Sequence, residues 1–476
     1  MASRESTTMN IDTVNRRAAL ALMGAGAAGT AFPPLSLAAT TARPWLATPA
    51  QVAAEGMLLE LLKDPELKRI QGEIRAKLAA TPRAQTIPDA MATLDGAIAQ
   101  WTNSLIFAEL MKDTARPAFL WATDDTPRDW LGHHLGGVGT SGDNPDNIYR
   151  TAGIEGGSRY EILGQYHPDS RPTQLLIEVH ATDLAQPSTM MTPTAQGSGK
   201  APDPQSSAQI NQDALVVDAQ GRFRITLGGD ASDATWAGPN HLAIPPAGFV
   251  AVGVRDVLAD WKLRAAGLTI RRLDRPKDAG AAPAFGLEQA RALVHRDLAG
   301  YIGFWSNFPN IWFGGLKPNT HSAPQQRPGG WGYVAGVNYH LAEGEALVVT
   351  LDPGGAKYTG FQINDPWMIA PDARARQVCL NGSQVAANAD GTVTYVIAAS
   401  DPGAANWLDT TGYHDGLAII RWQAIPPGLK GDGLIRDFRV AKLSEVAAIK
   451  DLSRVTPAER RARVAARKAD YETRVL

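Results

Sequence analysis

Apolar positions recur at helical spacing in two early stretches. Leu58, Leu61, Leu62, Leu67 and Ile70 form one stripe, and Met91, Leu94, Ile98, Trp101, Leu105 and Leu110 form another, with Pro82 and Pro88 between them. The spacing predicts helices over residues 50–112. From Leu131 onward the period shortens to two. Tyr160–Gln165, Gln174–Ala181, Ala214–Asp218 and Arg222–Leu227 alternate or are β-branched and predict strands, with Asp218-Ala219-Gln220-Gly221 as a hairpin turn. Helical spacing returns over Leu287–Trp305 and gives way to a Pro- and Gly-rich loop, Asn307–Gly332. A second β region follows, with strands at Leu347–Leu351, Gly360–Ile363, Thr392–Ala398 and Leu417–Trp422. Thr456-Pro457-Ala458-Glu459 carries a capping box with proline in the first helical turn and opens a last helix.

This order predicts a mainly β protein with helical additions, an α+β fold of two β-sandwich or jelly-roll-like domains, a helical N-terminal region and a C-terminal helix. The expected divisions are a helical region over 39–130, a first sandwich over 131–280, a helix and connector over 281–332, a second sandwich over 333–440 and a helical tail over 441–476. Residues 186–209, rich in Pro, Ser, Thr, Gln and Gly, are a long polar insertion, either a flap or disordered. The tail residues Arg460, Arg461, Arg463, Arg467 and Lys468 read as a solvated helix face.

Composition narrows the function. The 476 residues carry 46 Lys plus Arg against 48 Asp plus Glu, a balance that argues against a nucleic-acid partner. The single Cys379 excludes disulfides within the chain and Cys-rich metal sites. Arg16 and Arg17 precede an uncharged, Ala- and Gly-rich run, Ala18–Ala28, and Ser36-Leu37-Ala38 offers small residues for cleavage after Ala38. The paired arginines resemble a twin-arginine export signal. Residues 1–38 are therefore expected to direct the chain to the periplasm through the twin-arginine export machinery. The run is too short and weakly apolar to stay as a stable transmembrane span.

Several enzyme signatures fail on context. Gly137-Val138-Gly139-Thr140-Ser141-Gly142 matches a dinucleotide fingerprint by letter, but Asp143-Asn144-Pro145 follows where a helix is needed. No metal-ligand spacing and no cofactor motif stands out, so neither a metal nor a cofactor is expected. His133 and His134 are adjacent and would face opposite ways on a strand.

Three constellations remain. Asp143, Asn144 and Asn147 flank Pro145 and lead into Tyr149, Arg150 and Tyr160. The Asx residues suit turn chemistry, whereas a tyrosine beside a guanidinium suits a base. Glu178 and His180 share one face of a strand whose other face is Leu175, Ile177 and Val179, as an acid–imidazole pair for proton transfer or as an exposed polar face. Asn406, Trp407 and His414 lie on a loop that suits either a pocket mouth or a structured hairpin.

Asp401-Pro402-Gly403-Ala404-Ala405-Asn406-Trp407-Leu408-Asp409-Thr410, then Gly416-Leu417 and Arg421-Trp422, resembles the C-terminal signature of bacterial domain-of-unknown-function family 1214. Asp143-Asn144-Pro145-Asp146-Asn147 with Tyr149-Arg150 resembles its upstream half. Asp409 stands where commoner members carry Pro, which marks a divergent branch. The resemblance implies paired β-sandwich domains, often with a 1254-type partner domain, and an envelope location. It implies no activity. The sequence favours an exported enzyme that needs no metal, a lyase, isomerase or hydrolase acting on a small apolar or sugar-like molecule. Tyr149, His180 and Glu178 are its candidate bases and Arg150 the counter-charge. Asp143, Asn144, Asn147, Tyr160, Asn406, Trp407 and His414 are its candidate binding residues. The alternative is a non-catalytic ligand-binding or envelope assembly protein. The sequence fixes no oligomeric state.

Overall fold

The structure, a computed structural model, describes residues 45–190, 207–229, 237–274 and 285–474. The expected export signal and the middle of the polar insertion lie outside the described residues. Among the described residues there are seven α-helices and five sheets, so the fold is mainly β with helical additions. The chain from Pro44 to Leu476 packs as one compact unit.

Four helices open it: α1 (Pro49–Leu61), α2 (Pro65–Ala79), α3 (Pro82–Thr86) and α4 (Pro88–Leu110). Each begins with proline, whose missing N–H is not needed in the first turn. Thr48 and Asp64 cap α1 and α2 through their side-chain oxygens. The last two turns of α4 are buried on all sides. Helix α5 (Leu287–Phe313) lies against it, with Ser104 Oγ and Tyr301 OH 2.8 Å apart. Helix α5 runs past Trp305 into the expected loop, because Phe308, Pro309 and Phe313 continue its apolar face. Phe313, at the end of α5, packs closely on Gly336, where a Cβ would stand 2.4 Å from its ring. Among the described residues no helix is long and apolar enough to cross a membrane.

The first sandwich has one sheet ordered β1 (Leu120–Thr123), β4 (Asn147–Glu155), β10 (Phe249–Val257), β6 (Gln174–His180) and β7 (Ser207–Asn211). The second sheet is ordered β11 (Gly267–Arg272), β5 (Tyr160–Gln165), β8 (Arg222–Gly228) and β9 (His241–Ala243). A ribbon of β2 (Arg128–Trp130) and β3 (His133–Leu135) stands apart. The sheets enclose Ile154, Leu175, Ile177, Val179, Val252 and Val254 against Tyr160, Ile162, Phe223 and Ile225. This sandwich begins at Leu120, upstream of the expected Leu131. The end of the polar insertion is strand, since Ser207–Gln209 pair with His180–Glu178. Ala214–Asp218 is not strand. Asn240 instead satisfies both backbone groups of Val216, at 2.7 and 2.9 Å.

The second sandwich pairs β12 (Thr320–His321), β14 (Gly332–His340), β20 (Asp415–Gln423), β16 (Tyr358–Asn364) and β17 (Cys379–Asn381), with β13 (Gln325–Gln326) also on β14. It faces β19 (Trp407–Asp409), β18 (Val393–Ala398), β15 (Glu345–Leu351) and β21 (Ile435–Lys442). Its core is Val337, Leu347, Val349, Phe361, Tyr395, Ile420 and Trp422.

Asp146 joins the sandwiches. Its carboxylate accepts from Trp261 Nε1 (2.6 Å), Asn381 Nδ2 (2.9 Å) and Tyr358 OH (2.7 Å). The chain closes with α6 (Leu443–Ala448) and α7 (Pro457–Thr473), the latter opened by the expected Thr456–Glu459 capping box. The basic residues of α7 divide. Arg461, Arg463 and Lys468 are exposed, but Arg460 and Arg467 are buried, and Arg474 follows them inward. Their guanidinium groups lie over Trp407 (5.2 Å), Trp261 (4.4 Å) and Tyr471 (3.5 Å), and their N–H donors go largely to acidic side chains and carbonyl oxygens. Planar, weakly hydrated guanidinium groups tolerate such sites. Tyr471 OH donates to Asp124. Cys379 lies under this helix, 3.5 Å from Arg467 Nη2, and burial pushes its thiol pKa up to about 12.

Candidate functional site

In a β-strand, alternate side chains take opposite faces. The outer face of the five-stranded sheet therefore collects Tyr149 and Thr151 from β4, Gly253 and Arg255 from β10, and Glu178 and His180 from β6. Register sets their order: Arg255 opposes Tyr149 and Leu176, Gly253 opposes Thr151 and Glu178, and Ala251 opposes His180, four residues along β10 from the Tyr149 row. Arg255 Nε lies 3.0 Å from Glu178 Oε2, and its guanidinium lies 5.9 Å from the Tyr149 ring. The phenol oxygen of Tyr149 accepts the Asn144 N–H at 3.2 Å, which leaves its own O–H to donate outward. Among the described residues, a Cβ built on Gly253 would meet nothing within 4 Å, so they leave the centre of this face open.

The second sandwich supplies the opposite wall. The Trp331 ring lies 5.5 Å from the Arg255 guanidinium and 5.3 Å from that of Arg327. Gly329, in the turn between them, packs so closely on Gln209 of β7 that a Cβ would collide with its amide. Beside them Arg421 donates to Gln362 Oε1 and to the Gly142 carbonyl. Gln362 in turn donates to the Asp143 carbonyl at 2.7 Å.

The charges tune one another. Burial would raise the Glu178 carboxyl, but Arg255, His180 and Arg327 together hold it below its ordinary value. Burial lowers the His180 imidazole, against the pull of Glu178. His180 is therefore neutral at pH 7 and able to accept a proton. Burial raises Asp143, against hydrogen bonds from Thr140 N (2.7 Å) and Oγ1 (2.9 Å) and the charge of Arg421.

Tyr149, Glu178 and His180 thus share the face the sequence assigned to the latter two. Arg150 does not join them. It points into the sandwich, where it pairs with Asp256 and donates to the Ala266 carbonyl, because its strand neighbour Tyr149 takes the outer face. Arg255 occupies the role expected of Arg150. Asn144 and Asn147 are buried at the seam between the sandwiches, Asn144 donating to Tyr358 OH (2.8 Å) and to Asn147 Oδ1 (3.2 Å). Tyr160 is wholly buried in the first core, its oxygen accepting the Glu155 N–H at 3.0 Å.

The 406–414 loop is structured rather than a pocket mouth, but it is no hairpin, since β19 runs parallel to β18 and β20 lies in the other sheet. Asn406 clasps Ala386 and Thr394, Trp407 Nε1 donates to the Ala398 carbonyl, and the His414 N–H donates to Asp89 of α4. None of the three meets the Tyr149 face. His133 and His134 also go separate ways, to Glu55 and Asp129. Arg255, Arg327 and Trp331 escaped the sequence reading. The alternation of Val250, Val252 and Val254 could have shown β10 and put Arg255 on its outer face. Arg327 and Trp331 lie in a Pro- and Gly-rich loop with no period to read. Among the described residues, no group of three or more His, Cys, Asp or Glu is placed to hold a metal ion.

Neither a family model nor a curated protein matches this sequence. Among solved structures, an uncharacterised protein from Burkholderia cenocepacia superposes with a TM-score of 0.58 at 23% identity, over 83% of this chain and 99% of that one. A Vibrio parahaemolyticus protein matches at a TM-score of 0.36 and 11% identity, over 74% of this chain and 99% of that one. The Burkholderia structure shows that this chain shares its fold.

Proposed function

We propose that the chain is a periplasmic enzyme, exported through the twin-arginine route, which moves a proton with its own side chains in a lyase, isomerase or hydrolase reaction on a small organic molecule. One observation carries this reading: Tyr149, Glu178, His180 and Arg255 share the outer face of one sheet, with Arg255 beside both Tyr149 and Glu178. His180 is the base, and the Tyr149 hydroxyl is a donor or second proton carrier within the same cleft. Arg255, held in place by Glu178, supplies positive charge where negative charge develops. On the motif around Asn406-Trp407-Leu408 we also read the chain as a divergent member of family 1214, a motif whose residues here hold the parallel β18–β19 pair and touch none of the groups on the Tyr149 face.

Substitution at the half-buried cleft separates chemistry from folding. Tyr149→Phe and His180→Ala are each expected to lower kcat at least a hundredfold, the usual worth of a general acid or base, with Tm nearly unchanged. Full turnover in both variants would place the chemistry elsewhere.

A further inference from the structure

The substrate class of this face follows from a charge that makes no ion pair among the described residues. The inference rests on the location of the site given above. Arg255 is paired with Glu178, and the donors of Arg421 go to Gln362 and Gly142. Arg327 has no such partner. Among the described residues its side chain makes no ion pair and no hydrogen bond, and its Nε is buried without an acceptor. Burial, then the like charges of Arg255 and Arg421, push its pKa down to about 10, against the pull of Glu178 and Tyr149. Arg327 is half-buried, with its Nε shut from water, and a guanidinium so placed gains from a counter-charge at its remaining donors.

The sum of charges indicates what is missing. Arg255 and Glu178 cancel, His180 is neutral, and the charge of Arg421 is offset at longer range by that of Asp143, without a direct ion pair among the described residues. One positive charge is left over, at Arg327. A planar guanidinium matches a carboxylate in two parallel hydrogen bonds, and a single surplus charge suits a singly charged anion better than a doubly charged phosphate. The adjoining wall is the indole of Trp331, and the floor at Gly253 is clear. We propose that the cleft binds a carboxylate-bearing organic molecule, with its carboxylate on Arg327 and its carbon skeleton against Trp331 and over Gly253.

Calorimetry on the full chain provides the test. Glucuronate and benzoate are titrated against their neutral counterparts, glucose and benzamide, and against inorganic phosphate, all at constant ionic strength. At least one carboxylate is expected to bind tenfold or more tightly than both its neutral counterpart and phosphate. Arg327→Gln should erase that preference without moving Tm, and Arg327→Lys, which keeps the charge but loses the fork, should keep part of it. The proposal is overturned if neither carboxylate exceeds its neutral counterpart, or if the preference survives in Arg327→Gln. Phosphate binding tighter than both carboxylates, and lost in Arg327→Gln, also overturns it and makes the cleft a phosphate site. Turnover is followed separately. Turnover of a neutral substrate that depends on Tyr149 and His180, without carboxylate preference, retains the catalytic reading and removes this one. Carboxylate preference with turnover indifferent to Tyr149 and His180 does the reverse.

Discussion

Burial draws the His180 imidazole toward its neutral form, while Glu178, two residues away on the same face, pulls it back. The groups facing it are Glu178, Arg255 and Arg327, and the two cations act in the same direction as burial. The acid limb of kcat/KM is therefore expected to lie below the ordinary imidazole value of 6.5. Glu178→Gln removes the anion that faces it among the described residues and should move that limb to still lower pH, because the imidazolium loses a favourable neighbour. A pH–rate profile of the two proteins checks the sign, and a shift to higher pH would contradict the assignment of His180 as base. The same group links to stability. The unfolded chain binds this proton more readily than the folded one, so its contribution is present above pH 6.5 and falls away as pH drops below it. At this scale the sequence was only half legible. Residue type and spacing put Glu178 and His180 on one face, but the cation completing the group comes from β10, and no local pattern names a partner so far along the chain.

Helix α7 shows what a charge pattern conceals. Arg460, Arg467, Tyr471 and Arg474 recur near multiples of seven and four, the spacing of a buried stripe, but three of the four are arginine, and hydropathy alone assigns them to solvent. Rings on the opposing surface and the acceptors there reverse that assignment. Tyr471→Phe deletes a hydroxyl that serves Asp124 in a buried site, so it should destabilise the fold by about 1–3 kcal/mol. Arg463→Ala, on the exposed side, should stay within about 0.5 kcal/mol. Denaturant unfolding of both variants distinguishes a docked helix from a solvated one, and equal midpoints would mean that α7 contributes nothing. The strands were legible where apolar alternation is strict, as in β6 and β8. They were not at Ala214–Asp218, where a side chain replaces the ladder.

For the whole molecule, the seam between the sandwiches matters as much as either core. Asp146, Asn144 and Tyr358 tie the first sandwich to the second, and the Tyr149 face opens beside that tie. The position of Arg327 and Trp331 over the first sheet thus depends on contacts between residues more than two hundred positions apart. Two-sandwich architecture could be read from periodicity, because each sheet has its own apolar face. Their mutual orientation could not, because it is set by single polar residues with no period.

The one thiol of the chain gives this seam a clock. Cys379 is shut beneath α7 with its proton held on, so at neutral pH a disulfide reagent in solution finds neither access nor thiolate. Labelling can proceed only through moments when the helix lifts, and its rate divided by that of an unfolded control reads the free energy of lifting directly. In Tyr471→Phe the labelling rate should rise by the factor that corresponds to the stability lost, if the helix leaves as a unit before the sandwiches unfold. A labelling rate in the native protein equal to that of the unfolded control would show instead that the helix is not closed over the thiol.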